Sequence, residues 1–199
     1  MNTFGRIFRV SVFGESHGPQ IGVTLDGVPE GLELNEADFQ EDIARRAPAG
    51  VAGTSRKEED LPHILSGVFD GHTTGAPLTI VFDNRNFDSG DYVNFDAIPR
   101  PGHADYVASV KWDWNNDPRG GGHFSGRLTL PIVAAGVIAK KVLDGMSFDA
   151  KLIEVGGCGN RLKWPDSYFV LYNGLNWQTY KLTNWYSNYF IFDDGISNN

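Results

Sequence analysis

The chain has 199 residues, 41% of them apolar, and a formal net charge of −8. This size and composition are typical of a globular domain with a sizeable core, not of a disordered chain. The acidic balance argues against a general nucleic-acid-binding protein, which needs a basic surface. No run approaches the roughly 18 uncharged apolar residues that cross a bilayer, no signal-peptide pattern opens the chain, and Cys158 is the only cysteine. We therefore expect a soluble cytoplasmic protein that has no disulfide and binds neither nucleic acid nor membrane.

Apolar residues that alternate with polar ones predict four strands. The pattern covers residues 8–12 and 21–25, and again 64–69 and 77–82, with a turn expected over residues 71–75 between the last two. The strands therefore come in two groups, one near the N-terminus and one in the middle of the chain.

Two helices are predicted from caps and apolar spacing. Asn35 opens the first, which has acidic residues early and arginines late, and Phe39 and Ile43 form its apolar stripe. The second covers residues 132–143, is apolar almost all round, and has Pro131 in its first turn. A helix of this composition is expected to be buried.

Three other segments have weaker patterns. The polar stretch 83–100 is expected on the surface, and Trp112 and Trp114 are expected to pack on one face of an extended run. After Cys158 the chain becomes rich in aromatic residues and asparagine. Residues 158–199 are either an aromatic-rich binding module or a tail unrelated to the preceding domain, such as a frameshift or truncation leaves, and we expect the second.

Two short glycine-containing turns each present a histidine beside charged residues. In Gly-Glu-Ser-His-Gly, His17 is either a general acid beside a carboxylate or part of a structural turn. In Arg-Pro-Gly-His-Ala-Asp, Asp105 can orient the ring of His103 while Arg100 binds an anion. The alternative there is an Arg100–Asp105 pair that only fixes the loop.

A third segment, Arg-Gly-Gly-Gly-His-Phe-Ser-Gly-Arg at residues 119–127, predicts an anion cradle. Consecutive glycines let backbone amides approach a ligand, and the following helix adds its positive end. A flexible linker is the alternative, but linkers seldom run directly into an apolar helix. His123, Phe124 and Ser125 would then offer a donor, a stacking ring and a hydroxyl to a flat phosphorylated ligand.

Taken in order, these segments resemble chorismate synthases over residues 1–157, together with Asp-Gly-Val-Pro-Glu-Gly at 26–31 and Ile-Leu-Ser-Gly-Val-Phe at 64–69. The resemblance implies an α+β fold of antiparallel sheets flanked by helices, incomplete here, with residues 158–199 outside the family domain. It implies a lyase of the shikimate pathway that removes phosphate from 5-enolpyruvylshikimate 3-phosphate by anti-1,4-elimination, giving chorismate. The family uses reduced FMN without net redox change and forms homotetramers.

The resemblance also assigns roles to individual residues. His17 and His103 would be the two proton donors, one toward the reduced flavin and one toward the leaving phosphate. NADPH is a possible source of reduced flavin, and no metal is implied. The remaining implied contacts are His123, Phe124, Ser125, Arg46 and Arg56 with cofactor, and Arg46 and Arg127 with substrate.

Family members continue for about as long again after the matching part, so we expect a truncated copy with weak or no turnover. A non-catalytic remnant that binds FMN or another anion is the alternative. A metal-dependent hydrolase is a further class, but the five histidines lack a spacing such as His-Glu-x-x-His.

Overall fold

A computed structural model describes residues 2–47, 58–85, 90 and 98–148, and the backbone of five short strands between residues 154 and 193. The chain divides into two compact units, Met1–Val142 and Leu143–Asn199. All of the predicted site residues except Arg56 lie in the described part of the first unit.

A five-stranded antiparallel sheet forms the centre of the first unit, with strand order β1-β2-β3-β7-β4. Residue Gln20 at the start of β3 lies opposite Asp83 at the end of β7, so the turn before β3 and the segment after β7 share one edge of the sheet. In chain order the strands are β1 (Thr3–Phe4), β2 (Arg9–Gly14), β3 (Gln20–Asp26), β4 (His63–Ser66), β5 (Val68–Phe69), β6 (His72–Thr73) and β7 (Leu78–Asp83).

The strands predicted at residues 8–12, 21–25 and 77–82 are confirmed as β2, β3 and β7. The prediction of one strand over 64–69 is wrong, because Gly67 adopts a φ of +83° and separates β4 from β5. The turn predicted over 71–75 is also wrong, since β6 occupies part of it and forms a hairpin with β5. The alternation of apolar and polar residues did not predict the break at Gly67, where the chain changes direction.

Asn35 caps the first helical segment, as predicted. Its side chain accepts a backbone hydrogen bond from a short 3₁₀ turn, Glu36–Phe39, which leads into α1 (Gln40–Arg46). Phe39 and Ile43 are both buried in the core. The acidic first turn and the arginines at the end match the helix dipole.

Helix α2 (Asp105–Lys111) corrects the prediction of an extended run around the two tryptophans. The helix ends at Trp112, whose N–H donates to the carbonyl of Ala108, and Trp114 follows in a turn with a φ of +61°. Asp105 in the first turn and Lys111 in the last favour this helix through its dipole. The prediction of an extended run relied instead on the two-residue spacing of the tryptophans.

Helix α3 (Thr129–Val142) packs against α1 and against strands β2, β3 and β7. It begins three residues before the predicted 132–143, with Pro131 in its first turn as predicted. In the described part of the chain, no helix is long and apolar enough to span a membrane. The core shared by helix and sheet includes Val10, Ile21, Val23, Leu25, Leu78, Ile80, Phe82, Leu130, Ala134, Val137 and Ile138.

The second unit contains strands in its described backbone. Strand β8 (Glu154–Val155) pairs with β9 (Cys158–Gly159), and β11 (Trp177–Leu182) lies between β10 (Tyr168–Tyr172) and β12 (Phe192–Asp193) in an antiparallel sheet. The domain boundary predicted after residue 157 lies inside this unit and stays a prediction.

Candidate functional site

Three consecutive glycines bring the first and third motifs together. Gly120, Gly121 and Gly122 have φ values of +60°, +84° and +54°, which L side chains rarely adopt. The loop then approaches the turn before β3 closely enough for the N–H of Ser16 to donate to the carbonyl of Gly122 at 3.1 Å. The triglycine loop and the Gly-Glu-Ser-His-Gly turn therefore form one structural unit.

The rings of His17 and His103 lie against neighbouring glycines of this loop. A Cβ added at Gly120 would lie 2.5 Å from Nε2 of His17, and one added at Gly121 would lie 3.0 Å from Nε2 of His103. His17 is only 7% exposed. His17 and His103 are 86 positions apart in the sequence and meet at one loop. Only glycine at these loop positions leaves room for both rings.

Asp105 and Arg100 hold the ring of His103 in place. Nδ1 of His103 lies 2.5 Å from one carboxylate oxygen of Asp105, which leaves Nε2 on the side of the glycines. Arg100 donates from Nε and Nη2 to the same carboxylate at 2.7 and 2.9 Å. The Arg100–Asp105 pair is therefore present, and the same aspartate also orients the imidazole. Binding of an anion by Arg100 stays a prediction.

Asp105 is ionised far into the acid range. Hydrogen bonds from Arg100 lower the pKa of Asp105 from 3.8 to about 2, and the carboxylate is almost completely buried. A carboxyl group whose pKa is lower in the folded state stabilises the fold above its unfolded pKa, and this contribution is lost as the pH falls toward the folded pKa.

Substitution of Asp105 by asparagine is therefore expected to lower the free energy of unfolding by about 2 kcal/mol at pH 7. The difference from the wild type should shrink as the pH falls from about 4 toward 2. Urea titrations at several pH values measure it. If the difference in unfolding free energy stays constant down to pH 3, the lowered pKa of Asp105 is contradicted. The control is Asp26→Asn, which removes an exposed pair with Arg9.

The residues that follow the three glycines are fixed by backbone contacts. Nδ1 of His123 donates to the carbonyl of Gly14 at 2.9 Å, so in the neutral ring Nε2 carries the lone pair. Phe124 is 39% exposed and lies 5.1 Å from the ring of Trp112, centroid to centroid. The hydroxyl of Ser125 accepts a hydrogen bond from the backbone N–H of Arg127.

A cleft of about 340 Å³ borders these residues. Its lining combines the ring pair Trp112 and Phe124, whose planes are tilted by 39°, with polar groups from the turn before β3 and from the first turn of α2. Aromatic rings beside hydrogen-bonding groups suit a planar heteroaromatic ligand. The residues that line the cleft include Glu15, Asp105, Trp112, Gly121, His123 and Phe124.

Arg46 and Arg127, both predicted to contact substrate, converge on Asp60. Nη1 of Arg46 lies 3.5 Å from Asp60, and its other nitrogens donate to the hydroxyl of Thr129 and the carbonyl of Gly126. Arg127 is 6% exposed and pairs with the other oxygen of Asp60. Substrate contact by these arginines stays a prediction, and Arg56 lies outside the described residues.

Sequence reasoning missed Asn84 and Asp60. Asn84 follows β7 directly and bonds both to the turn that carries His17 and to Arg127. Neither residue belongs to a recognisable motif, and Asp60 ends an acidic run, Glu58–Asp60, that has the appearance of a solvated surface segment. Within the residues that the structure describes, no group of three or more histidine, cysteine or acidic residues is arranged to hold a metal ion.

Comparison with known proteins gives a consistent result. A family model described as "Chorismate synthase" matches residues 8–188. A chorismate synthase of Chitinophaga pinensis is 60% identical over 158 residues, which are 79% of this chain and 48% of that protein. One of Aeropyrum pernix is 48% identical over 168 residues, 83% of this chain and 44% of the relative.

A solved structure described as "Crystal Structure of Chorismate Synthase" matches with a TM-score of 0.53 and 28% identity, covering 74% of this chain and 38% of that one. The predicted α+β fold of an antiparallel sheet flanked by helices is thereby confirmed. The chain spans about half the length of the curated relatives it matches. The family match also continues beyond residue 157.

Proposed function

This chain belongs to the chorismate synthase family, and we propose that its first unit binds reduced FMN and 5-enolpyruvylshikimate 3-phosphate for phosphate elimination to chorismate. The observation that carries the proposal is the placement of the His17 and His103 rings against neighbouring glycines of one loop. One donor would assist the elimination, since a phosphate leaves more easily when it is protonated. The other would hold a proton near the flavin.

We propose His103 as the donor to the leaving phosphate. Asp105 accepts from Nδ1 of its ring, which directs Nε2 toward the glycines. In the elimination, the carbon–oxygen bond breaks and its electron pair leaves with the phosphate. The electron pair of a ring C–H bond forms the new double bond, and its proton passes to water or another base in the site. His103 would transfer its proton to the departing phosphate oxygen, which balances the charge that develops there.

The cleft beside Trp112 and Phe124 supports the proposal of a flavin site. Its lining of aromatic rings and polar groups suits a planar ring system that has hydrogen-bonding atoms along its rim. When bound, reduced FMN would supply electron density to the reacting ring without net redox change. Phe124 would stack on the ring, Nε2 of His123 would accept a hydrogen bond at its edge, and His17 would hold a proton near it.

Arg46 and Arg127 would bind the anionic groups of the substrate. Both guanidinium groups now pair with the carboxylate of Asp60, so a substrate anion would share or displace that carboxylate. NADPH as the source of reduced flavin, a contact of Arg56 with cofactor, the homotetramer and the cytoplasmic location remain predictions for this chain.

Substitution of Phe124 by alanine is expected to weaken FMN binding about tenfold, because ring stacking of this kind contributes on the order of 1 kcal/mol or more. Titration of the chain into FMN, followed by quenching of flavin fluorescence, measures the dissociation constant. Phe69→Ala is the matched control, since Phe69 is an exposed phenylalanine of the β5–β6 hairpin. The proposal fails if the wild type shows no saturable quenching or if both variants lose affinity equally.

A second measurement separates catalysis from binding alone. Wild-type chain is mixed anaerobically with reduced FMN and 5-enolpyruvylshikimate 3-phosphate, and chorismate is measured. We expect saturable FMN binding with weak but detectable turnover by these 199 residues. Chorismate formed at an enzyme-like rate would contradict the expectation of weak turnover, whereas binding without any product would favour the non-catalytic alternative.

A further inference from the structure

Asn84 links the turn that carries His17 to Arg127. It directly follows β7 and is 8% exposed. Its backbone N–H donates to the carbonyl of Pro19 at 3.0 Å, which extends the β3–β7 pairing by one step. The pairing of β3 with β7 therefore places the Asn84 side chain at the base of the turn that carries His17.

The direction of the Asn84 amide is determined by its partner Arg127. A guanidinium can only donate, so the atom 2.9 Å from Nε of Arg127 must be the amide oxygen. The NH₂ group then faces the carbonyls of Glu15 and Gly18, at 3.1 and 2.8 Å. These two carbonyls flank Ser16 and His17, so one amide group ties both ends of the turn together.

Arg127 has two further partners, and these contacts fix the orientation of the Asn84 amide. Its Nη2 donates to the carbonyl of Asp83 at 3.1 Å, and its Nη1 pairs with Asp60 in a buried position. Rotation of the Asn84 amide would place an NH₂ group against the buried guanidinium and remove this donor from the carbonyl of Gly18, while that of Glu15 would keep only the N–H of Gly18. Such unsatisfied buried groups cost about 1–3 kcal/mol each.

We propose that Asn84 is a positioning residue that holds the His17 ring against Gly120, with Arg127 setting the direction of its amide. The positioning stands on the geometry alone, while its importance for proton donation rests on the function proposed above. The same contacts join the anion-binding arginine to the proton donor. A ligand that draws Arg127 away from Asn84 would therefore loosen the His17 turn.

The test is Asn84→Asp, a change that keeps an acceptor for Arg127 but removes the donor to the two carbonyls. In the chain without ligand, the imidazole NMR signals of His17 should shift, and the N–H groups of Ser16 and Gly18 should exchange about tenfold faster. The signals of His103 should stay in place, because Asp105 and Arg100 hold that ring.

Asn115→Asp is the matched control. The NH₂ group of Asn115 also donates to two carbonyls, those of Trp112 and Asp113, but it is exposed and follows α2. This variant should leave the His17 signals unchanged. If Asn84→Asp does not fold, Asn84→Ala, which introduces no charge, gives the same readout.

Two results would overturn the proposal. One is a folded Asn84 variant whose His17 signals and turn exchange rates equal those of the wild type. The other is an equal displacement of the His17 and His103 signals, which would show a general rearrangement. Because no FMN or substrate is present, failure here is distinguishable from failure of the proposed function.

Discussion

Substitution of Asp60 by asparagine is expected to lower the free energy of unfolding by about 3 to 5 kcal/mol, the usual cost of removing one partner from a buried ion pair. The Asp60 carboxylate is 7% exposed and neutralises both Arg127 and Arg46. Asparagine keeps the shape of the side chain but leaves the guanidinium of Arg127 buried without a counter-charge. Urea unfolding at pH 7, followed by tryptophan fluorescence, measures the loss.

The control for this experiment is Asp26→Asn. Asp26 pairs with Arg9 across strands β2 and β3 of the five-stranded sheet, and both side chains are more than half exposed. Exposed pairs of this kind contribute about 1 kcal/mol or less. If the two variants lose similar stability, Asp60 is not the buried counter-ion of Arg127.

Substitution of Gly120 by alanine is the second change with a large expected effect. The left-handed backbone alone costs an alanine about 1–2 kcal/mol. In addition, the new Cβ would lie 2.4 Å from Cδ2 of His17 and 2.8 Å from Oγ of Ser16, so the ring must move. We expect a loss of stability of about 2 kcal/mol or more, together with displaced NMR signals of His17 and weaker FMN binding.

Gly136→Ala provides a control of opposite sign. Gly136 lies inside α3, and a Cβ added there would meet nothing within 4 Å. Alanine in a helix interior should raise stability by about 0.5–1 kcal/mol. If Gly120→Ala is tolerated as well as Gly136→Ala, the contact of His17 with the triglycine loop is not as described.

Local patterns were sufficient to predict most of the sheet and both longer helical segments. Alternation identified β2, β3 and β7, and the cap at Asn35 identified the start of the first helical segment. Such signals work because strand pleating and helix capping involve residues close in sequence. The same reasoning failed around Gly67 and Trp112, where a single backbone conformation or a weak helix dipole decides between alternatives.

For the site, residue chemistry indicated which residues matter but not how they are arranged. The three histidine turns are recognisable because glycine beside histidine and arginine is an unusual local combination. Asn84 and Asp60 act only through partners that are distant in sequence, such as Gly18 and Arg127. Their importance depends on strand register and on burial, which a single sequence does not display.

The hydrogen bond from His123 to Gly14 spans 109 residues, and this separation has a consequence for how the molecule matures. During synthesis the N-terminal hairpin emerges long before the residues that brace its tip. Closing a loop carries an entropic cost that grows only slowly with its length. The contact between His123 and Gly14 can therefore form only after the whole central sheet, whose last strand in the chain ends at Asp83, has been synthesised.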